Sequence, residues 1–135
     1  FGTVTKRKRR CGWFDAVLVG QSITINGITD VVLTKLDVLD ELEEIQVCVG
    51  YETRHKKYNY LPFDENIHNT LVPIYETIPG WQESTFGLTT WDDLPKKAQN
   101  YINFLESNIQ KDISIISTGP DRAHTIDRNN LLGNN

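Results

Sequence analysis

Val31-Val32-Leu33-Thr34-Lys35-Leu36-Asp37 is a short apolar run of β-branched character that stops abruptly at polar residues. The run predicts a strand buried on both faces. A second run of the same kind, Ile113-Ser114-Ile115-Ile116, stops at Ser117-Thr118-Gly119-Pro120. In open α/β sheets, ligands collect at the carboxyl ends of strands. The two polar ends could therefore face one crevice.

Two amphipathic segments predict helices that would flank these strands. Asp15 can cap the first helix, and Gly27 lies where a C-terminal stop is expected. Its periodic positions are Val17, Leu18, Gln21, Ser22 and Ile25. Pro95 suits the first position of the second and clearer helix. Its core face is predicted to consist of Ala98, Tyr101, Ile102, Leu105 and Ile109.

Three further extended segments complete the predicted elements. Ile45, Val47, Val49 and Tyr51 alternate with other residues, and residues 58–60 could pair with them as a hairpin across the polar turn 53–57. Pro73 confines segment 71–77 to a sheet edge or a strand start. The alternation of strands and helices predicts an α/β fold, a portion of a mainly parallel sheet with flanking helices and a β-hairpin.

The composition is that of a globular chain, with 135 residues, a net charge of −4, 39% hydrophobic residues and 24% charged residues. Collagen-like and wholly disordered classes are excluded, and one domain is expected. No apolar run is long enough to span a membrane, and two cysteines cannot form a disulfide framework, so a cytoplasmic location is expected. Because the chain has no Met and begins at Phe1, we expect it to be a piece of a longer protein.

Residues 34–37 could recognise a guanine base. A carboxylate at Asp37 can accept hydrogen bonds from both the N1–H and the exocyclic amine of guanine, and the stem of Lys35 can lie along the purine face. Adenine offers no such donor pair, and an unpaired carboxylate is costly, so the discrimination is large. The alternatives are a solvated turn at residues 34–37 and a simple turn at residues 119–121.

Lys6, Arg7, Lys8, Arg9 and Arg10 form a basic run in a chain that is otherwise acidic. Five like charges require water or an anionic partner. Nucleic-acid backbone, a localisation receptor, and the phosphates or carboxylates of small substrates all qualify, and the planar fork of Arg suits the last. We favour a substrate loop, and the alternative function is a non-catalytic nucleic-acid-binding module that uses residues 6–10 as a basic arm. The three histidines lack metal-ligand spacing.

Five segments in register closely resemble adenylosuccinate synthetase. They are residues 9–13 (RRCGW), 33–40 (LTKLDVLD), 75–81 (YETIPGW), 94–95 (LP) with 100–102 (NYI), and 117–122 (STGPDR). The resemblance spans nearly the whole chain and implies the C-terminal third of that enzyme, whose full architecture is P-loop-NTPase-like. It also implies a division into a substrate loop at residues 1–13, an α/β body at 14–127 and a tail at 128–135, which we expect to be poorly ordered.

The reaction implied by the resemblance joins IMP and L-aspartate into adenylosuccinate, with GTP converted to GDP and phosphate. GTP phosphorylates the 6-oxygen of IMP, and the amine of aspartate then displaces that phosphate. The family is homodimeric and uses Mg²⁺, whose ligands are expected in the part that lies upstream. No catalytic residue and no metal ligand are expected in this segment, which should be inactive alone. A degenerate fragment without function is a third possibility.

The resemblance assigns site residues by position. The implied GTP-binding residues are Arg9, Lys35, Leu36, Asp37, Ser117, Thr118 and Gly119. The implied L-aspartate and IMP loop consists of Thr3, Val4, Thr5, Lys6, Arg7, Lys8 and Arg9. The family's loop reads Thr-Thr-Gly-Arg, so Val4 lacks a hydroxyl and Lys6 replaces a glycine. If the backbone at residue 6 needs a positive φ, Lys6 is strained there by about 1 kcal/mol.

Overall fold

The computed structural model describes residues 13–62 and 64–132. Ten regular elements form two small sheets with helices packed between and beside them. In chain order they are β1 Phe14–Asp15, α1 Ala16–Asn26, β2 Val31–Leu33, β3 Glu44–Glu52, β4 Lys57–Tyr58, α2 Glu65–His68, β5 Val72–Pro79, α3 Lys96–Ile109, β6 Ile113–Ser117 and β7 Thr125–Asp127. Two 3-10 turns occur at Leu36–Leu39 and Trp91–Asp93.

The first sheet is built around β3. It pairs in parallel with β1 and antiparallel with β4 and β5. The predicted hairpin is confirmed, because Tyr51 lies opposite Tyr58. Pro73 lies near the start of β5, which pairs with β3 and has no second neighbour within the described ranges. A missing amide donor is tolerated at such an edge.

The second sheet has the order β2-β6-β7. Strands β2 and β6 are parallel, with Leu33 opposite Ile116, and β7 pairs antiparallel with β6. Strand β7 has only three residues and was not predicted from the sequence. The α/β class is confirmed, but the two parallel and three antiparallel pairings of the described residues differ from the predicted mainly parallel sheet. The prediction that β2 is buried on both faces is wrong, because Val32 is 53% exposed. Among the described residues, β2 is an edge strand.

Both predicted helices are present. The carboxylate of Asp15 accepts a hydrogen bond from the Leu18 amide at 2.9 Å, and Gly27 ends α1 in the left-handed region at φ 62°. The α1 face was predicted imperfectly, because Leu18 and Ile25 are exposed. The buried α1 residues are Ala16, Val17 and Ile23. All five predicted core positions of α3 are buried, and Pro95 immediately precedes the helix. Within residues 13–62 and 64–132, no helix has the length and apolar character needed to cross a membrane.

The segment after β5 is held tightly against the body. The Gly80 amide donates to the Glu43 carbonyl at 2.8 Å. A Cβ on Gly80 would lie 1.8 Å from the Leu42 carbonyl oxygen, so only glycine fits. Trp81 follows, is 4% exposed, and packs on the Tyr101 ring of α3 with centroids 5.6 Å apart. The packing of Trp81 therefore holds the start of the loop at residues 82–87 in place against the body.

Part of the predicted tail is attached to the body. Arg128 pairs with Glu106 at 2.8 Å, and its guanidinium lies 4.1 Å from the centroid of the Trp91 ring. The carboxylate of Asp127 accepts hydrogen bonds from the amides of residues 131 and 132 at 2.8 and 2.7 Å. These hydrogen bonds and the ion pair therefore hold residues 128, 131 and 132 of the predicted tail.

Candidate functional site

The parallel pairing of β2 and β6 brings the two polar strand ends together. Because Leu33 lies opposite Ile116, residues 34–37 and residues 117–119 leave the sheet at the same edge. These were the two segments that the sequence singled out. Of the predicted residues in these two segments, only Asp37 lines the cleft described below; Lys35, Leu36 and residues 117–119 do not.

The backbone turns sharply just after β2. Lys35 has φ 60° and ψ 43°, in the left-handed region, which costs a non-glycine residue about 1 to 2 kcal/mol. The next residue, Leu36, is only 1% exposed and belongs to the core. The buried Leu36 anchors a turn in which Lys35 remains exposed and Asp37 is only partly buried. Strain of this kind is maintained only where the surroundings enforce it, and it is common at ligand sites.

Asp37 opens onto a cleft of about 710 Å³. The lining residues are Asp37, Val38, Asp40, Glu41, Gln82, Glu83, Ser84 and Phe86. Across the described part of the chain, no group donates a hydrogen bond to the Asp37 carboxylate. Both of its oxygens can therefore accept hydrogen bonds from a ligand.

Asp40 lies one turn further on, and both oxygens of its carboxylate accept hydrogen bonds from the protein. It accepts hydrogen bonds from Trp81 Nε1, the Thr85 amide and Thr85 Oγ1, each at 2.7 Å. The sequence did not single out Asp40, because two aspartates three residues apart look alike without their partners. The only signal was its place at the end of the stretch 33–40.

The second strand end is ordered by its own hydrogen bonds. Ser117 Oγ donates to the Gly119 carbonyl at 3.1 Å. Thr118 is fully buried, and its hydroxyl donates to the Leu88 carbonyl at 2.8 Å. Its amide donates to the His124 carbonyl at 2.8 Å, and its carbonyl accepts from the Gly87 amide at 3.1 Å. The hydroxyl of Thr118 therefore does not face the crevice, contrary to expectation, and Thr118 instead joins the strand end to the loop beyond residue 82.

His124 closes this end of the site. A Cβ on Gly119 would lie 2.4 Å from His124 Nδ1, so glycine lets the ring approach the backbone. The His124 ring also packs against the Phe86 ring, with the two ring centroids 4.9 Å apart. Nδ1 accepts a hydrogen bond from the Asp121 amide at 3.3 Å. His124 thus links the strand end to Phe86, an aromatic residue that lines the cleft.

A separate polar cluster lies on the first sheet. The Tyr51 hydroxyl donates to the Asp15 carboxylate. Burial, and then the contact with Asp15, raises the pKa of Tyr51. Burial and the charge of Asp15 also raise the pKa of Cys48, which keeps this thiol protonated and unreactive. Nothing in this cluster resembles an activated nucleophile.

Several predicted residues lie outside the described ranges. They are Thr3, Val4, Thr5, Lys6, Arg7, Lys8 and Arg9, together with Arg10 of the basic run. Among residues 13–62 and 64–132, no group of three or more His, Cys, Asp or Glu side chains could hold a metal ion.

Comparison with known proteins identifies the family. A sequence profile described as adenylosuccinate synthetase matches residues 1–126. The chain belongs to the adenylosuccinate synthetase family. Among curated relatives, the adenylosuccinate synthetase of Methylobacillus flagellatus is 51% identical over 125 residues, 93% of this chain and 28% of the relative. Those of Coxiella burnetii and Ehrlichia chaffeensis are each 52% identical, over 95% and 96% of this chain and 29% and 30% of theirs.

A solved structure shows the same fold. The fully ligated adenylosuccinate synthetase of Plasmodium falciparum matches with a TM-score of 0.83 and 37% identity, over 94% of this chain and 31% of that one. The chain thus spans under a third of the length of these members of the adenylosuccinate synthetase family. The match lies in the N-terminal 126 residues of this chain, and these comparisons do not establish the C-terminal placement that the resemblance implies.

Proposed function

We propose that this chain supplies the guanine-base pocket of an adenylosuccinate synthetase. The full-length protein would form adenylosuccinate from IMP and L-aspartate while converting GTP to GDP and phosphate. One observation carries the proposal. The parallel register of β2 and β6 brings residues 34–37 and 117–119 to one edge of the sheet, and there the unengaged Asp37 carboxylate lines a cleft of about 710 Å³.

Asp37 is the residue that selects the base. Its carboxylate accepts two hydrogen bonds, from the N1–H and the exocyclic amine of guanine, and such bonds to a charged acceptor are strong. Adenine presents an acceptor at N1 and would leave the carboxylate unpaired. The half-buried setting of Asp37 makes that mismatch costly, because the lost pairing is not fully replaced by water.

Lys35 and the second strand end complete the pocket. The left-handed backbone of Lys35 leaves its side chain exposed beside Asp37, where its aliphatic stem can cover one face of the purine. Ser117 and Gly119 do not line the cleft itself but would offer backbone groups from the neighbouring strand end, and Leu36 holds the turn in the core. Thr118 contributes by holding the loop rather than by touching the base.

Anchoring the base would contribute to catalysis by positioning. An oxygen on a purine is a poor leaving group until GTP phosphorylates it, and phosphoryl transfer depends on alignment of the two nucleotides. Mg²⁺ would supply charge neutralisation on the phosphates, and its ligands are expected upstream of this chain. Residues 13–62 and 64–132 contain no group of three or more His, Cys, Asp or Glu side chains that could hold it.

The loop at residues 3–9 is proposed to hold the second substrate. Thr5 and Arg7 would bind L-aspartate, Arg7 would also contact IMP, and Arg9 would lie on the GTP side. The Val4 and Lys6 replacements bear on aspartate affinity, because one hydroxyl and one glycine of the family pattern are lost. The C-terminal placement, the homodimer and a cytoplasmic location remain predictions of the resemblance. A glycine-rich phosphate loop in the upstream reading frame would support the placement.

The test is adenylosuccinate formation by the full-length protein that contains this chain. Rates are measured with IMP and L-aspartate saturating and with GTP, inosine triphosphate or ATP as phosphoryl donor. We expect GTP to be used best, inosine triphosphate less well because it lacks the exocyclic amine, and ATP hardly at all. Equal use of ATP and GTP would overturn the guanine pocket, and absence of adenylosuccinate would overturn the activity.

A further inference from the structure

The Asp40 carboxylate ties the turn after β2 to the loop that follows β5. Its Oδ1 accepts from Trp81 Nε1 and Thr85 Oγ1, and its Oδ2 accepts from the Thr85 amide, all at 2.7 Å. Thr85 is fully buried and Trp81 nearly so. Hydrogen bonds to an ionised acceptor are roughly twice as strong as neutral ones, so three of them form a firm tether.

The tethered loop is one wall of the cleft. Residues 82–84 and Phe86 line it opposite Asp37, and they lie between or next to the two residues that Asp40 holds. Gln82 has φ 49°, in the left-handed region that non-glycine residues avoid. A loop that contains a strained residue keeps its shape only while its ends are fixed. The width of the cleft therefore depends on Asp40.

We propose that Asp40 is a positioning residue for the guanine nucleotide. Its role is to hold the loop rather than to select the base, because both of its oxygens already accept hydrogen bonds from protein donors. It fixes the distance between the Asp37 turn and the wall formed by residues 82–86. Asp37 and Asp40 thus have separate roles, one as the acceptor for the ligand and the other as the acceptor for the protein. This inference rests on the proposed function of the cleft.

Asp40→Asn tests the tether with little change in side-chain size. The amide oxygen of Asn can still accept from Trp81 and Thr85 Oγ1, but the amide nitrogen then faces the Thr85 backbone N–H, donor against donor. We expect the KM for GTP to rise about 10-fold, while the KM for IMP changes less than about 2-fold. Thr85→Val removes one hydroxyl donor while keeping the side-chain shape, so we expect a rise of about 3-fold.

The kinetics are measured in the full-length protein at a temperature well below the melting temperature of each variant. Asp112→Asn is the matched control, because it removes the same charge from an exposed residue outside the cleft. A role in folding alone would lower the melting temperature and leave the KM for GTP unchanged, and that result would overturn the proposal. If Asp40→Asn does not accumulate as folded protein, the KM for GTP of Thr85→Val is the deciding measurement, and an unchanged value overturns the proposal.

Asp37→Asn, measured in parallel, separates the two claims. A rise in the KM for GTP with Asp37→Asn but not with Asp40→Asn or Thr85→Val would refute the tether and leave the guanine pocket intact. No rise with any of the three variants would refute the pocket itself. A rise with all three, and none with Asp112→Asn, is the expected result.

Discussion

Asp37→Asn is the sharpest perturbation of the proposed pocket. The substitution keeps the side-chain size and removes the charge. No described residue donates to the Asp37 carboxylate, so the loss falls on the bound base and not on the fold. Asn keeps one acceptor for the guanine N1–H, but its NH₂ faces the exocyclic amine. Losing one charge-assisted bond and leaving that amine unpaired costs about 2 to 4 kcal/mol, or about 30- to 900-fold in kcat/KM for GTP.

The assay is steady-state kinetics of the full-length protein with GTP, IMP and L-aspartate varied in turn. Xanthosine triphosphate tests whether the preference for the base is reversed. It carries a carbonyl in place of the exocyclic amine of guanine, and that carbonyl oxygen can accept a hydrogen bond from the Asn amide. We expect Asp37→Asn to lose GTP use far more than IMP binding and to gain relative use of xanthosine triphosphate. An equal loss for GTP and IMP, or no change in the preference between the two triphosphates, would refute the reasoning.

Three further outcomes follow from the structure. Lys35→Gly should keep or raise stability by up to about 1 kcal/mol, because it relieves the left-handed backbone, yet it should raise the KM for GTP; a loss of melting temperature would contradict this. Gly80→Ala should lower the stability by about 2 kcal/mol or more, measured by denaturant unfolding, since its Cβ meets the Leu42 carbonyl at 1.8 Å. Burial raises the pKa values of Tyr51 and Cys48, so these groups lose their protons at lower pH in the unfolded chain than in the folded one. The free energy of unfolding should therefore keep its full value below the ordinary Cys pKa of 9.0 and fall as the pH rises above it. The fall should be smaller in Tyr51→Phe, as measured by denaturant unfolding at a series of pH values.

Local signals were sufficient for most elements. Asp15 and Gly27 bound α1 as capping rules predict, and the apolar periodicity of α3 gave its buried face correctly. The α1 face was harder to predict, because apolar residues occur on more than one side of that helix. Leu18 and Ile25 fit a helical period but are exposed, while the buried face includes Ala16.

The pairing of strands and the partners of side-chain hydrogen bonds could not be predicted from the sequence. The register of β2 with β6 joins residues more than 80 positions apart, and no local pattern encodes it. The same limit explains the missed role of Asp40, whose partner Thr85 is 45 positions away. It also explains Thr118, whose hydroxyl was expected in the crevice and is bonded to Leu88. Chemistry-bearing residues were thus recognisable, but their division into ligand-facing and protein-facing groups required the structure.

The most direct measurement is a crystal structure of the full-length protein with GDP bound. We predict that the guanine N1 and the exocyclic amine nitrogen both lie within hydrogen-bond distance of the Asp37 carboxylate, with the Lys35 stem along the ring. A base bound elsewhere, or one turned so that neither nitrogen faces Asp37, would contradict the assignment of this cleft.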